Sequence, residues 1–227
     1  MLLHPQSFGP RNCPGRAKLW TLCLGSRSDR MPERADLREM GANLVMFYQE
    51  CVTPVGSLLV VTDAQSRLTH VIFDAATDQR ELARAARARN AQHSVVQTWL
   101  AVEQLQRYFA ADSQHFDLAL NLHGTAFQRS IWAYLQRIPF AGTQTYGQVA
   151  NALGRPHAAR AVGAANGQNP ISIIVPCHRL VSSTGGLAGY AGGLAAKRWL
   201  LAFEAEQAGL QSPWSTTSVT SLALRAC

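Results

Sequence analysis

The chain has 227 residues, with 21 Lys and Arg against 14 Asp and Glu, and carries a formal net charge of +7. That length suits one or two domains with a sizeable core, and no apolar stretch is long enough for a membrane-spanning helix. The five cysteines (Cys13, Cys23, Cys51, Cys177 and Cys227) are odd in number and not closely paired, which argues against a disulfide framework and for a reducing compartment.

Residues 1–45 are rich in Pro, Gly, Arg and Ser without a sustained period, and read as a disordered leader with Met46 near the natural start. His4, Pro5, Asn12 and Pro14 interrupt any secretory apolar core. The chain therefore reads as soluble, with no membrane partner, in the cytoplasm (or in the nucleus of a eukaryotic cell). From Tyr48 to Phe73, strand-like runs alternate with turn signals: Val55-Gly56 precedes Leu58–Thr62, and Asp63-Ala64-Gln65 precedes Leu68–Phe73. Glu81–Asn90 predicts an Ala/Arg-rich helix. Val95–Phe109 predicts a second, with Val95, Trp99, Val102, Leu105 and Phe109 on one face. Phe116–Leu120 reads as a closing strand, which completes a small α/β domain over residues 46–121.

Residues 122–206 read as mostly helical. Thr125 is placed to cap a helix over Ala126–Gln136 whose inner face holds Phe127, Ile131, Tyr134 and Leu135, and Ile138-Pro139 and Gly142 end it. Tyr146–Leu153, a turn at Gly154-Arg155-Pro156, and Ala158–Asn166 make a helix-turn-helix pattern. Seven Lys and Arg meet two acids in this half, whereas residues 46–121 carry six against eight. The excess positive charge thus gathers in the second half, as a polyanionic partner requires. Ile171–Val175 reads as a buried strand that Pro176 halts, leaving Cys177 and His178 at its end beside a water-excluding core. A cysteine with a histidine neighbour there is a candidate nucleophile, the competing role being a small core residue. A helix over Ala195–Phe203 with Glu204 near its end follows, and residues 207–227 read as a disordered tail.

Taken together, Ile173-Ile174-Val175-Pro176-Cys177-His178-Arg179, the run Gly186–Leu194 containing Gly189-Tyr190-Ala191-Gly192-Gly193, and Lys197 with Trp199–Glu204 form a dense pattern. With Tyr146–Ala150, Arg160–Gly163 and Asn169-Pro170 upstream, it resembles the O6-alkylguanine-DNA alkyltransferases from about Phe127 to Glu204. The resemblance implies an α/β N-terminal domain of ribonuclease H-like layout. It implies a mostly α-helical C-terminal domain over 122–206 with a winged helix-turn-helix DNA-binding unit. The implied activity is DNA repair by direct reversal: the alkyl group of O6-alkylguanine, and of O4-alkylthymine, in double-stranded DNA moves to Cys177 after the damaged nucleotide is flipped out.

By the same resemblance, Cys177 is the acceptor, His178 a proton relay, Glu204 its orienter, and Asn169 the tie between the DNA-binding helix and the active-site strand. Neighbouring residues of an extended chain point to opposite faces, so a bridging water is expected between Cys177 and His178. Arg160 matches the arginine that fills the gap left by the flipped base, a phosphate contact being its rival role. Tyr146 matches the tyrosine that crowds the target phosphate, and Ala161 and Gly163 lie on the DNA-facing helix. Tyr190, Ala191 and Gly192, with Val175 and Pro176, are expected to wall the guanine pocket. No cofactor is implied, since no Gly-rich nucleoside loop follows a strand, and no metal is expected because Cys51, His70, His93 and His115 lack ligand-pair spacing. The expected partner is double-stranded DNA containing O6-alkylguanine, bound by a monomer. The alternative is a non-catalytic sensor that flips alkylated bases and recruits other repair factors, although such proteins replace the acceptor cysteine. A cysteine hydrolase would leave the basic helix-turn-helix without a purpose.

Overall fold

Strand alternation over residues 46–63 builds a hairpin. β1 (Met46–Thr53) and β2 (Gly56–Asp63) pair antiparallel in unbroken register, from Met46 opposite Asp63 to Thr53 opposite Gly56. Gly56 takes the positive φ of 113° that so tight a turn demands. β3 (Leu68–Phe73) adds antiparallel to β2, and the two-residue β4 (Gln92–His93) adds parallel to β1. The resulting mixed sheet has the order β3-β2-β1-β4. The computed structural model describes residues 45–73 and 91–215. The expected leader, the helix over Glu81–Asn90 and the tail beyond residue 215 lie outside the described residues.

Helix α1 (Val95–Phe109) has the expected span, with Ser94 capping it by accepting from the Gln97 amide. Its inner face matches the expected one at Val102, Leu105 and Phe109 but not at Val95 and Trp99. Thr98, Ala101, Val102, Leu105, Tyr108 and Phe109 are buried, while Val95 and Trp99 are 49% and 58% exposed. The small Ala101 lets the helix approach the sheet, and Thr98 can be buried because its hydroxyl bonds the Ser94 carbonyl at 2.7 Å. The closing strand over Phe116–Leu120 does not form either. Leu120 makes a single bridge to Leu68. Before it, the Asp117 amide donates to Gln104 Oε1 of α1 (2.8 Å), so a side chain takes the backbone group that a ladder would use.

The second half is helical. α2 (Ala126–Leu135) starts at a reciprocal capping box between Thr125 and Gln128 and buries Ile131, Trp132 and Leu135. β5 (Gln144–Thr145) leads into α3 (Tyr146–Ala152), which Thr145 and Gln148 cap in the same way. A turn through Gly154 (φ 69°) connects α3 to α4 (Ala159–Gly167), and Trp132 Nε1 donates to the Ala165 carbonyl (2.9 Å) to fix α4 against α2. β6 (Leu180–Val181) pairs parallel with β5. α5 (Gly193–Gln207) is longer than expected at both ends, so Glu204 stands inside the helix rather than at its edge.

The expected strand over Ile171–Val175 is a bridged turn. Ile171 pairs with Val71 of β3, Ser172 with Val175, and Ile173 between them is left-handed at φ 73°. The apolar run is buried as the sequence suggests, but it doubles back instead of extending. Residues of both halves share one core, in which Cys51, Leu58 and Val71 pack with Ile131, Leu135, Val175, Leu200 and Phe203. A smaller cluster of Met46, Leu59, Val61 and Ile72 forms separately. Among the described residues, no helix is long and apolar enough to cross a membrane.

Candidate active site

Asn169 makes the turn. Its Oδ1 accepts from the Ile171 amide (3.1 Å) and its Nδ2 donates to the Val175 carbonyl (2.8 Å), so one buried amide spans the turn's mouth. A β-branched residue at positive φ costs about 1–3 kcal/mol, and the Asn169 bonds together with the Val175-to-Ile171 backbone bond (3.0 Å) hold Ile173 there. Cys177–Arg179 then coils as a short 3-10 turn. The expectation of an extended Cys177-His178 pair is therefore corrected: successive side chains project about 120° apart around the turn.

His178 is fully buried, with Nε2 2.9 Å from Glu204 Oε1 and Nδ1 without a protein partner. A nitrogen facing a carboxylate carries the proton, which leaves Nδ1 as the acceptor of the neutral ring. Burial lowers the His178 pKa below its ordinary 6.5, with Glu204 pulling the other way. For Glu204, burial alone would raise the carboxyl, but the His178 and Arg179 contacts outweigh it and hold the group well below the carboxylate range. Arg179 grips it through Nε to Oε2 (3.0 Å) and Nη2 to Oε1 (2.8 Å), and the Ala141 amide adds a bond to Oε2 (3.1 Å). Burial pushes the Cys177 thiol up, against the Asn169 amide and the Lys197 charge, which favour the thiolate. Burial thus favours the protonated thiol and the neutral imidazole.

Two phenols and one ammonium complete the surroundings of the sulfur. Tyr146 opens α3, and its phenol is raised by burial and then by the nearby Cys177. A Cβ on Gly163 would touch the Tyr146 ring at 3.8 Å, so α4 passes close by. The Tyr190 phenol is raised well above its usual value by burial, then by Cys177, and its hydroxyl has no protein partner. Lys197 is fully buried and its pKa falls to about 8, burial outweighing the pull of Cys177. Its Nζ donates to the Ala188 carbonyl (2.9 Å).

Cys177, His178, Glu204, Asn169, Tyr146 and Tyr190 are thus brought together, with Gly163 behind Tyr146. Ala191 is half-buried beside Tyr190, and Gly192 lies against the Phe73 ring. The Val175 side chain is fully buried and its carbonyl serves Asn169. Pro176 lines a separate cavity of about 290 Å³ with His115, Phe116, Phe140 and Arg179, in whose walls neither Cys177 nor Tyr190 takes part. Arg160 and Ala161 are exposed on α4, apart from the groups that bear on the thiol. Sequence reasoning missed Lys197, Arg179 and Tyr108 as site residues. For Lys197 a signal existed, a cation followed by Arg198 within the otherwise apolar run Leu194–Phe203. Among the described residues, no three His, Cys, Asp or Glu gather as a metal site.

The family model described as 6-O-methylguanine DNA methyltransferase, DNA binding domain, matches residues 126–206. A methylated-DNA--protein-cysteine methyltransferase of Mycolicibacterium paratuberculosis is 55% identical over 104 residues, which span 46% of this chain and 63% of that relative, less than two thirds of its length. One of Methanosarcina acetivorans is 39% identical over 167 residues, 70% of this chain and 98% of its own length. The crystal structure of Mycobacterium tuberculosis OGT in complex with DNA superposes with a TM-score of 0.63 at 39% identity, covering 71% of this chain and 94% of that one. The chain belongs to the methylated-DNA--protein-cysteine methyltransferase family.

Proposed function

We propose that this chain takes the alkyl group from O6 of guanine, and from O4 of thymine, in double-stranded DNA and keeps it on Cys177. The observation that carries the reading is a buried Cys177 thiol followed in the same short turn by a His178 ring whose Nε2 is held by Glu204 and whose Nδ1 is left to accept. The thiol proton passes through a water to Nδ1, and the thiolate attacks the alkyl carbon. An S–C bond forms as the C–O6 bond breaks, its electron pair goes to O6, and the guanine takes up one proton, so the thiol's proton is passed on to the base. Asn169 and Lys197 favour the thiolate while it exists. The thioether has no leaving group at hand, so each molecule acts once, without a cofactor.

An O6 atom inside a duplex is reached by flipping the nucleotide out. Tyr146 at the start of α3 crowds the target phosphate, and Arg160, exposed on α4, fills the vacated stack while Ala161 and Gly163 keep that helix close to the groove. The extruded base rests against Tyr190, Ala191 and Gly192. The α3–α4 pair with the β5–β6 pairing supports a winged helix-turn-helix over 122–206, and the mixed sheet with α1 supports a ribonuclease H-like domain over 46–121. A cytoplasmic monomer without a membrane partner fits a site whose residues all come from one chain.

The test is intact and peptide mass spectrometry after incubation with a duplex carrying one O6-methylguanine. One methyl on the Cys177 peptide with guanine restored is expected, and Cys177→Ala keeps DNA binding but gains no mass. DNA binding without any mass gain in the unsubstituted protein would make the chain a sensor of alkylated bases.

A further inference from the structure

Among the described residues, one side chain from residues 46–121 hydrogen-bonds the His178–Glu204 pair. Tyr108, in the last turn of α1, puts its hydroxyl 2.8 Å from Glu204 Oε1. The same oxygen meets His178 Nε2 at 2.9 Å and Arg179 Nη2 at 2.8 Å. We propose that Tyr108 is a positioning residue for alkyl transfer, its hydroxyl sharing Glu204 Oε1 with His178 and setting how strongly that carboxylate draws on the imidazole. This rests on the transfer reading above.

The ring cannot swing away. Phe109, Phe116, Phe140 and Phe203 surround it at centroid distances of 5.2, 5.3, 6.2 and 5.5 Å. A phenylalanine would fill that space as well, so the hydroxyl is the part in need of an explanation. Burial, then Glu204, raises the Tyr108 phenol well above its ordinary value, so it remains a donor throughout the working pH range. A neutral donor on Oε1 draws charge away from the bond to His178 without repelling a protonated imidazole. Losing it returns that charge to His178 and makes the ring more basic. A ring protonated at higher pH loses the acceptor on Nδ1 at higher pH as well. The other charged or titratable groups facing His178 are Arg179 and Lys197, which oppose its protonation, together with Cys177 and Tyr190, and all four remain in place in a Tyr108 variant.

The experiment follows single-turnover methyl transfer from an O6-methylguanine duplex to Cys177 across pH, in the wild type and in Tyr108→Phe. Transfer slowed by about tenfold, an acid limb moved to higher pH and unchanged DNA affinity support the proposal, alongside the modest fall in melting midpoint that losing one buried hydrogen bond brings. Packing alone would move neither the rate nor the limb. As a second arm, Tyr108→Phe placed in a Glu204→Gln background should have no further effect on the rate. Wild-type transfer with an unaltered rate and pH profile in Tyr108→Phe overturns the proposal alone, as does a full additional loss in the Glu204→Gln background. No methyl on wild-type Cys177 overturns the transfer reading and this proposal with it.

Discussion

Gly192 lies flat against the Phe73 ring, so a methyl on its α-carbon would stand 2.7 Å from both Cε1 and Cζ. Phe73 ends β3, is almost fully buried, and meets the Tyr190 ring edge-on at 5.5 Å. The loop that carries Tyr190 therefore rests on the sheet. Gly192→Ala should lower stability by about 1–3 kcal/mol through overpacking and slow alkyl transfer by displacing Tyr190. Adding Phe73→Leu should recover part of both losses. Thermal melts and single-turnover rates of the two single variants and the double variant measure this coupling, and a Gly192→Ala protein as stable as the parent would refute the close approach.

Glu204 ties acid stability to the candidate site. Its folded pKa is depressed far below the ordinary 4.5, so its stabilisation is whole above that pH and drains away as the pH falls from there toward the folded value. Melting midpoints should therefore decline steeply below about pH 4.5 in the wild type. Glu204→Gln should be less stable at neutral pH by about 3 kcal/mol, because Arg179 loses its buried counter-charge. The variant should also show a shallower acid decline, which melts recorded against pH would reveal. Parallel declines in the two proteins would mean that other carboxylates govern acid unfolding.

Under the proposed function, Arg160 is the residue that distinguishes a duplex lesion from a free base. The side chain is exposed on α4 and apart from the thiol, so Arg160→Ala should leave reaction with free O6-benzylguanine near the wild-type rate. Repair of a duplex lesion should fall by about tenfold or more if the arginine fills the vacated stack as proposed, since unstacking a base costs a few kcal/mol. Equal losses on the two substrates would assign Arg160 to something other than base flipping. Duplex affinity should also weaken with salt, phosphates supplying most of it.

The grouping of the candidate site was legible because its parts lie in short contiguous blocks: Asn169, Cys177 and His178 fall within ten residues, and Glu204 stands on the next long helix. Periodicity also found α1, α2, β2 and β3, but it misjudged the buried face of α1. Trp99 scores as apolar whether it points in or out, and the position that matters, Thr98, is polar. It also read Ile171–Val175 as a strand, since five buried apolar or small residues look alike in a strand and in a turn that an asparagine closes from two positions away. Tyr108 was beyond such reasoning. It meets Glu204 across 96 positions, and only the packing of α1 over the sheet brings the two together.

The bridges that β3 makes on its outer side have a consequence for the chain as a folding unit. β3 is the last strand of its sheet, and such an edge ordinarily invites pairing with another molecule. Here the Val71 amide donates to the Pro170 carbonyl (2.9 Å), and the Val71 carbonyl accepts from Ser172 (3.1 Å), while Leu68 is paired through Ala119 and Asn121. The turn that leads to Cys177 thus doubles as the stopper of the sheet. A fragment ending at residue 121 would leave the Val71 groups bare, an adhesive margin inviting other copies to join. The segment that leads to Cys177 in this sense closes the β3 edge of the sheet.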